Sequence, residues 1–240
     1  MKLKLRTFFP LIVIAFIGCV VVWWKVTYPY GSWRYKITVE IETPEGVKSG
    51  SAVREVTAVM QPQITPETHP VNYGVIGEAV TIDLGNRGVV FALLGYTEVF
   101  KAFPITPKTT EERIKYYSTL PVGQKAVLTN YYPQIVTFEN LNDPLTVKIV
   151  LGSRFNVEKQ DLDPVNDFEA LLGQGVKLKQ VIIEITDEPL TWEIEKWLPW
   201  LPERKIGSLD GRLGTFSDDL ASTLDYGNFK RENKYKKGER

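Results

Sequence analysis

The sequence predicts a mainly β (α+β) chain, with an N-terminal transmembrane helix followed by an antiparallel, sandwich-like β domain carrying a few short helices. Three observations predict it. Residues 8–24 run without a single charge. Beyond them, alternation of apolar and polar side chains recurs between tight Gly- and Pro-containing turns, the pattern of half-buried antiparallel strands. The regular strand–helix alternation that builds a doubly wound parallel sheet is absent.

The apolar stretch runs from Phe8 to Trp24 and as a helix spans roughly 26 Å, the short end for crossing a bilayer. Pro10 falls in its first turn, where a helix tolerates it. Trp23, Trp24, Tyr28, Tyr30 and Trp33 follow, and such rings favour the membrane–water boundary. No small-residue cleavage site ends the stretch, so a retained signal anchor is the leading reading. A lipoprotein signal is the second, with Phe16-Ile17-Gly18-Cys19 similar to a lipobox and Cys19 the lipidated residue. A buried core helix or strand is the third. Lys2, Lys4 and Arg6 crowd before the stretch, against Lys25, Arg34 and Lys36 after it, which favours the N-terminus inside. The expected organisation is a basic cytoplasmic N-terminus over residues 1–7, an anchor over 8–24, a β-rich extracytoplasmic domain over 33–202 and an extended, partly disordered basic tail over 203–240.

Within the domain, Trp33, Tyr35, Ile37, Val39 and Ile41 alternate with polar residues and predict a strand, which Thr43-Pro44-Glu45-Gly46 turns. A second strand is expected within 47–60, with Val53, Val56 and Val59 as its apolar positions and a bulge from its imperfect alternation. Pro62, Pro66 and Pro70 make 61–74 a loop. Val80, Ile82 and Leu84, a turn at Gly85-Asn86-Arg87-Gly88, and the continuous apolar run Val89–Leu94 predict a hairpin with a buried second strand. Thr109 and Glu112 have the spacing of a capping box, opening a helix to Leu120. Leu145–Leu151 alternates as a strand. Asp163-Pro164 is expected to open a short helix carrying Phe168, Leu171 and Leu172, with Gly173 beyond its end. Val176–Thr186 reads as a strand whose phase shifts near Gln180, and Trp192–Leu198 as two helical turns stopped by Pro199.

Composition narrows the chemistry. With 43% of 240 residues apolar, the chain is globular rather than disordered. Zero net charge gives no general attraction for nucleic acid. The only cysteine lies in the apolar stretch, which leaves the domain without disulfides or thiolate metal sites. His69 is the only histidine, so a Ser-His-Asp triad or an imidazole–zinc site rests on it alone. Gly207, Gly211 and Gly214 miss the dinucleotide fingerprint, and no phosphate loop exists, so no cofactor is expected.

Of the remaining clusters, Asp161, Asp163, Asn166, Asp167 and Glu169 are oxygen-rich, but calcium-loop spacing fails and turn chemistry explains them more simply. Lys48 with Ser49 or Ser51 cannot pair along a strand whose neighbours face opposite ways. Glu184, Asp187 and Glu188 are the carboxylates on which glycoside hydrolysis would rest. Trp192, Trp197, Trp200 and Leu201 are read either as an exposed contact patch or as core over the sheet edge. Lys230, Arg231, Lys234, Lys236, Lys237 and Arg240 of the tail are solvated, or touch anionic lipid.

The run from Thr43 to Val53 (TPEGVKSGSAV), with Gly77-Glu78-Ala79-Val80 and Phe91-Ala92-Leu93-Leu94, resembles a group of uncharacterised proteobacterial membrane-anchored or lipoprotein-like proteins. The resemblance implies an envelope location and carries over no activity, ligand or site residue. Together these readings predict a membrane-anchored, non-catalytic envelope protein. It is held in the inner membrane by its N-terminal helix, with the β-rich domain facing the periplasm to bind a protein or envelope component. The alternatives are a carboxylate-dependent envelope hydrolase, marked by acidic side chains converging in a deep pocket, and a passive structural or phage-derived envelope protein.

Overall fold

The alternation from Trp33 to Glu42 forms a long strand, β1 (Tyr30–Thr43), whose odd-numbered side chains from Trp33 to Ile41 are buried while their neighbours stay half-exposed. A computed structural model describes residues 13–19, 22–23, 27–62, 65, 67, 69–156, 159–213 and 219–232. Pro44 and Glu45 make the turn after β1, and Gly46 takes the φ of 117° that a side chain would resist. Strand β2 (Gly46–Met60) follows, with Ala52, Arg54, Val56 and Ala58 buried in alternation. Val53 is buried as well, whereas Val59, expected inside, is exposed.

The loop expected over 61–74 ends sooner. Strand β3 (Val71–Glu78) begins directly after Pro70, the last of the prolines that interrupt the chain. Strands β4 (Val80–Asp83) and β5 (Val89–Ala92) form the expected hairpin around a turn of 3-10 helix at Gly85–Arg87. Helix α1 (Thr97–Ala102) was not legible in the sequence, and α2 (Thr110–Ser118) was. In α2 the Thr109 side chain accepts from Glu112 N at 3.2 Å, while the Glu112 carboxylate accepts from Lys108 N rather than from the cap residue.

Strands β6 (Lys125–Val127), β7 (Ile135–Phe138), β8 (Val147–Asn156) and β9 (Asp161–Asn166) come next, then α3 (Phe168–Leu172), ended as expected by Gly173 at φ 96°. The helix expected to open at Asp163-Pro164 therefore starts later, and those residues belong to a strand. Strand β10 (Lys177–Ile185) pairs with β1, and their register slips between Glu40 and Ile41, beside Gln180, where the apolar phase of β10 shifts. Helices α4 (Leu220–Thr223) and α5 (Tyr226–Phe229) and the two-residue strand β11 (Lys230–Arg231) end the described chain.

The strands make two mainly antiparallel sheets, consistent with a sandwich: six strands in the order β11-β3-β2-β1-β10-β6, and five in the order β4-β5-β7-β8-β9. The chain divides into two compact units. The smaller takes the chain up to Ser32, Thr57–Gly74 and Pro107–Thr119. It contains α2, whose Ile114 packs so close to Gly31 that a Cβ there would overlap it. The larger unit takes Trp33–Val56, Val75–Thr106 and everything from Leu120.

In the larger unit β5 and β7 are buried on both faces. Side chains alternate along a strand, so Val90 and Ala92 face opposite to Val89 and Phe91. The first face meets β2, where Gly50 lies against the Thr81 carbonyl and Ile82. The second packs with Val136 and Phe138 under Ile194, Leu198, Leu201, Leu209, Ala221, Leu224 and Phe229. This overturns the tail expected from residue 203: Leu209 and Phe229 are fully buried, and the stretch through Phe229 is a cover layer. Main-chain bonds fasten it, with Ala79 N donating to Phe229 O and Leu94 N to Asn228 O, both at 2.7 Å. Of the predicted tail, residues 214–218 and 233–240 lie outside the described residues.

Candidate functional site

The residues proposed for the membrane lie in the smaller unit. Residues 13–19 are helical, and every one of them is exposed, Ile14 at 65% and Phe16 at 68%. Gly18 has nothing within 4 Å of where a Cβ would stand, and the Cys19 thiol is free and exposed. The Trp23 ring meets the Tyr28 ring edge-on at 6.5 Å. No helix among the described residues is long and apolar enough to cross a membrane. The predicted span from Phe8 to Trp24 lies in part outside them, at residues 8–12, 20–21 and 24.

The tryptophan cluster is not one exposed patch. Leu201 and the neighbouring Leu198 are fully buried, because they cover β5 and β7. Trp200 stacks edge-on with Phe138 at 5.6 Å and donates from Nε1 to Leu141 O at 2.7 Å. Trp197 packs against the same core, which leaves Trp192, 42% exposed, as the one strongly exposed member. Even Trp192 is engaged, since Lys230 Nζ stands 5.2 Å from its ring centre. Lys230 is itself far from a solvated tail cation. It is buried and ion-paired with Glu195 at 2.7 Å and Glu232 at 2.9 Å. Burial opposes its charge, yet the hydrogen bonds it donates to those two carboxylates outweigh burial and hold its pKa above the ordinary value.

The strongest polar cluster is one the sequence reading missed. Arg54, on β2, is fully buried and ion-paired with Glu98 of α1 at 3.3 Å. Its other nitrogens donate to the carbonyls of Glu78, Ala92 and Leu93 at 3.0–3.1 Å. Beside it Tyr35 donates to Gly95 O at 3.0 Å, and burial, then the Glu98 charge, pushes its hydroxyl pKa up. Glu78, also buried, accepts from the backbone of Glu193 and Ile194 at 2.7–2.9 Å and so seats the first turn of the cover layer. These bonds tie β2 to α1, to β5 and to the cover layer, and among the described residues Glu98 Oε2 alone of this group is left without a hydrogen bond. The signal available was Arg54 itself, the one residue out of type in an otherwise apolar alternation.

The remaining candidates are not brought together. Glu184 pairs with Lys125 at 3.2 Å and Glu188 with Lys36 at 3.0 Å on the surface, and Asp187 is exposed. In the 161–169 cluster Asp161 bonds to Leu162 N, Asp163 pairs with Lys159, and Glu169 accepts from Gly175 N. Among the described residues no three acidic, His or Cys side chains converge on a metal position. Asn166, Glu169 and Lys177, with Phe168, Ala170 and Val176, line a half-open concavity of about 520 Å³. Lys48, Ser49 and Ser51 lie exposed along β2.

Fold and geometry define a mainly antiparallel two-sheet β protein whose buried charges serve its architecture. Comparison with known protein families, curated proteins and solved structures returned no match.

Proposed function

We propose that this chain is a membrane-anchored, non-catalytic envelope protein that presents its β-rich unit for binding a protein or envelope component. The N-terminal helix sits in the inner membrane and the β-rich unit faces the periplasm. The observation that carries this reading is the helix over 13–19, apolar along its length and exposed at every residue. A helix hydrophobic all round is at home only in a core or in hydrocarbon. Water charges about 25 cal/mol for each Å² of such surface, and a bilayer removes that cost. The resemblance of Thr43–Val53 to membrane-anchored envelope proteins supports the same location. The engagement of Glu184 and Glu188 with surface lysines favours binding over hydrolysis.

The test is membrane fractionation with alkaline extraction and protease digestion of intact spheroplasts, on the parent chain, an Ile14→Glu/Ile17→Glu variant and a Cys19→Ala variant. The parent is expected in the extracted membrane pellet with its β-rich unit digestible from outside. The double glutamate variant should move to the supernatant. Retention of Cys19→Ala in the pellet identifies a helical anchor, and its release identifies a lipid anchor. A parent chain that stays in the supernatant sinks the reading.

A further inference from the structure

We infer that the free edge of β6 is where a second copy of this chain pairs, strand against strand, joining two six-stranded sheets across a two-fold axis. Strand β6 stands at one end of its sheet. Leu128 N donates to Val181 O and Ile185 N to Gln124 O, both at 2.9 Å, so Gln124, Ala126 and Leu128 turn their main-chain groups towards β10. Antiparallel pairing alternates, so the N–H and C=O of Lys125 and Val127 point the other way, where no strand follows.

The ends of the two sheets that β6 does not occupy are each obstructed. On β9, Asp167 N donates to Val150 O, which turns Leu162, Pro164 and Asn166 outward. The Leu162 N–H is taken by the Asp161 carboxylate at 2.7 Å, and Pro164 has no N–H to offer. On β11 the outward N–H is that of Lys230, which donates to Tyr226 O of its own chain. On β4 the outward carbonyl of Thr81 lies against Gly50 of β2. Strand β6 carries none of these stops among the described residues, and its one charged side chain, Lys125, is held by Glu184 at 3.2 Å within the same sheet.

Self-complementarity selects the partner. A two-fold axis through Ala126 sets Lys125 opposite Val127 of the copy and Val127 opposite Lys125, and each pairing exchanges both of its main-chain hydrogen bonds. The two lysines do not face each other, and the methylenes of each lie along a valine that is otherwise 51% exposed. Exposed Val122 precedes the strand and exposed Tyr131 follows it, so antiparallel pairing brings Val122 of one copy to the end where Tyr131 of the other lies. Tyr131 is fixed in place, at a φ of 55° that few residues other than glycine adopt and with Lys101 Nζ 3.8 Å from its ring centre. A foreign strand meets these side chains once, whereas two copies meet them twice over. The edge is short, so the dimer is a weak one. The pairing stands on β6 alone and goes beyond the membrane reading.

The test uses the full chain with Cys19→Ser and Ala126→Cys, purified in mild detergent. Directly opposed residues outside the hydrogen-bonded pairs lie about 4.5 Å apart at Cα, within disulfide reach. Mild oxidation is expected to give a covalent dimer, and sedimentation of Cys19→Ser alone a mass that rises with protein concentration. Adding Val127→Pro removes the outward N–H without touching a bond to β10. It should slow disulfide formation roughly tenfold or more, with circular dichroism unchanged. Cys19→Ser/Ser51→Cys, with its thiol exposed on β2, sets the rate of chance collision. Disulfide formation at Ala126→Cys no faster than in that control, in a natively folded chain, overturns the inference and leaves the anchor reading intact. A dimer that Val127→Pro does not weaken overturns it as well. Crosslinking through Ala126→Cys in a chain that stays in the supernatant on membrane fractionation supports the edge and counts against the anchor.

Discussion

Arg54 and Glu98 meet at 3.3 Å with side chains 0% and 4% exposed, so each is the other's opposite charge in a place water does not reach. Among the described residues the second Glu98 oxygen, Oε2, accepts no hydrogen bond. Removing one partner of such a pair strands a charge in low dielectric, whereas replacing both by apolar groups is near neutral. Arg54→Met is therefore expected to cost about 3–5 kcal/mol. Adding Glu98→Leu should restore most of the loss. Urea unfolding of the two singles and the double measures this, and additive losses in the double would sink the coupling.

The cover layer gives a second prediction. Phe229 is fully buried and packs against Phe91 at 6.4 Å and Phe138 at 6.0 Å between ring centres. Phe229→Ala should cost about 3–5 kcal/mol by thermal or urea unfolding. Truncation before residue 203 should bare the Phe91 and Phe138 face and raise binding of an apolar dye. A truncated chain with the parent's melting temperature would show that the sheet does not need the cover.

What the sequence made legible follows from how many faces each element buries. Strand β1 buries one face, so its alternation is strict and was read correctly. The β9 segment Asp161–Asn166 has no buried residue, and its Asp and Pro read as a turn. Arg54 was passed over because pattern reading assigns arginine to solvent, and the carboxylate supplied by α1 with three carbonyls makes its buried position tolerable. The cover layer was missed because Leu209, Ala221, Leu224 and Phe229 are sparse among polar residues. The clue lay in β5, whose continuous apolar run, in a sheet of tight hairpins, demands a second layer. The tryptophan cluster was legible as unusual, and its core reading is the one that describes Trp197, Trp200 and Leu201.

Acid sensitivity should be traceable to one surface clamp. Arg87 donates from Nε and Nη2 to the two oxygens of Glu45 at 2.8 Å and from Nη1 to Leu172 O at 3.0 Å, joining two turns and the end of α3. The Arg87 hydrogen bonds pull the Glu45 carboxyl from the ordinary 4.5 down to about 2. A carboxyl depressed by folding stabilises above its unfolded pKa, and that contribution fades as pH falls from about 4.5 towards about 2. Glu45→Gln should thus flatten the fall in melting temperature across this window and leave the profile above it parallel to the parent's. Parallel profiles through the acid window as well would mean that Glu45 is not a source of the acid sensitivity.

The last prediction concerns Gly50. This residue is not in a left-handed conformation, so its lack of a side chain has a packing cause. A Cβ there would overlap the Thr81 carbonyl oxygen and stand 3.0 Å from Ile82 Cγ1, backbone and core that cannot swing aside. Gly50→Ala should force β2 away from β4 and cost about 1–3 kcal/mol, the usual range for overpacking. Ser51→Ala, one residue along on the exposed face, provides the control and should change stability little. Alanine normally suits a strand better than glycine, so propensity alone favours Gly50→Ala. A variant as stable as the parent would mean that the sheets yield at this point, and the measured sign decides between contact and propensity.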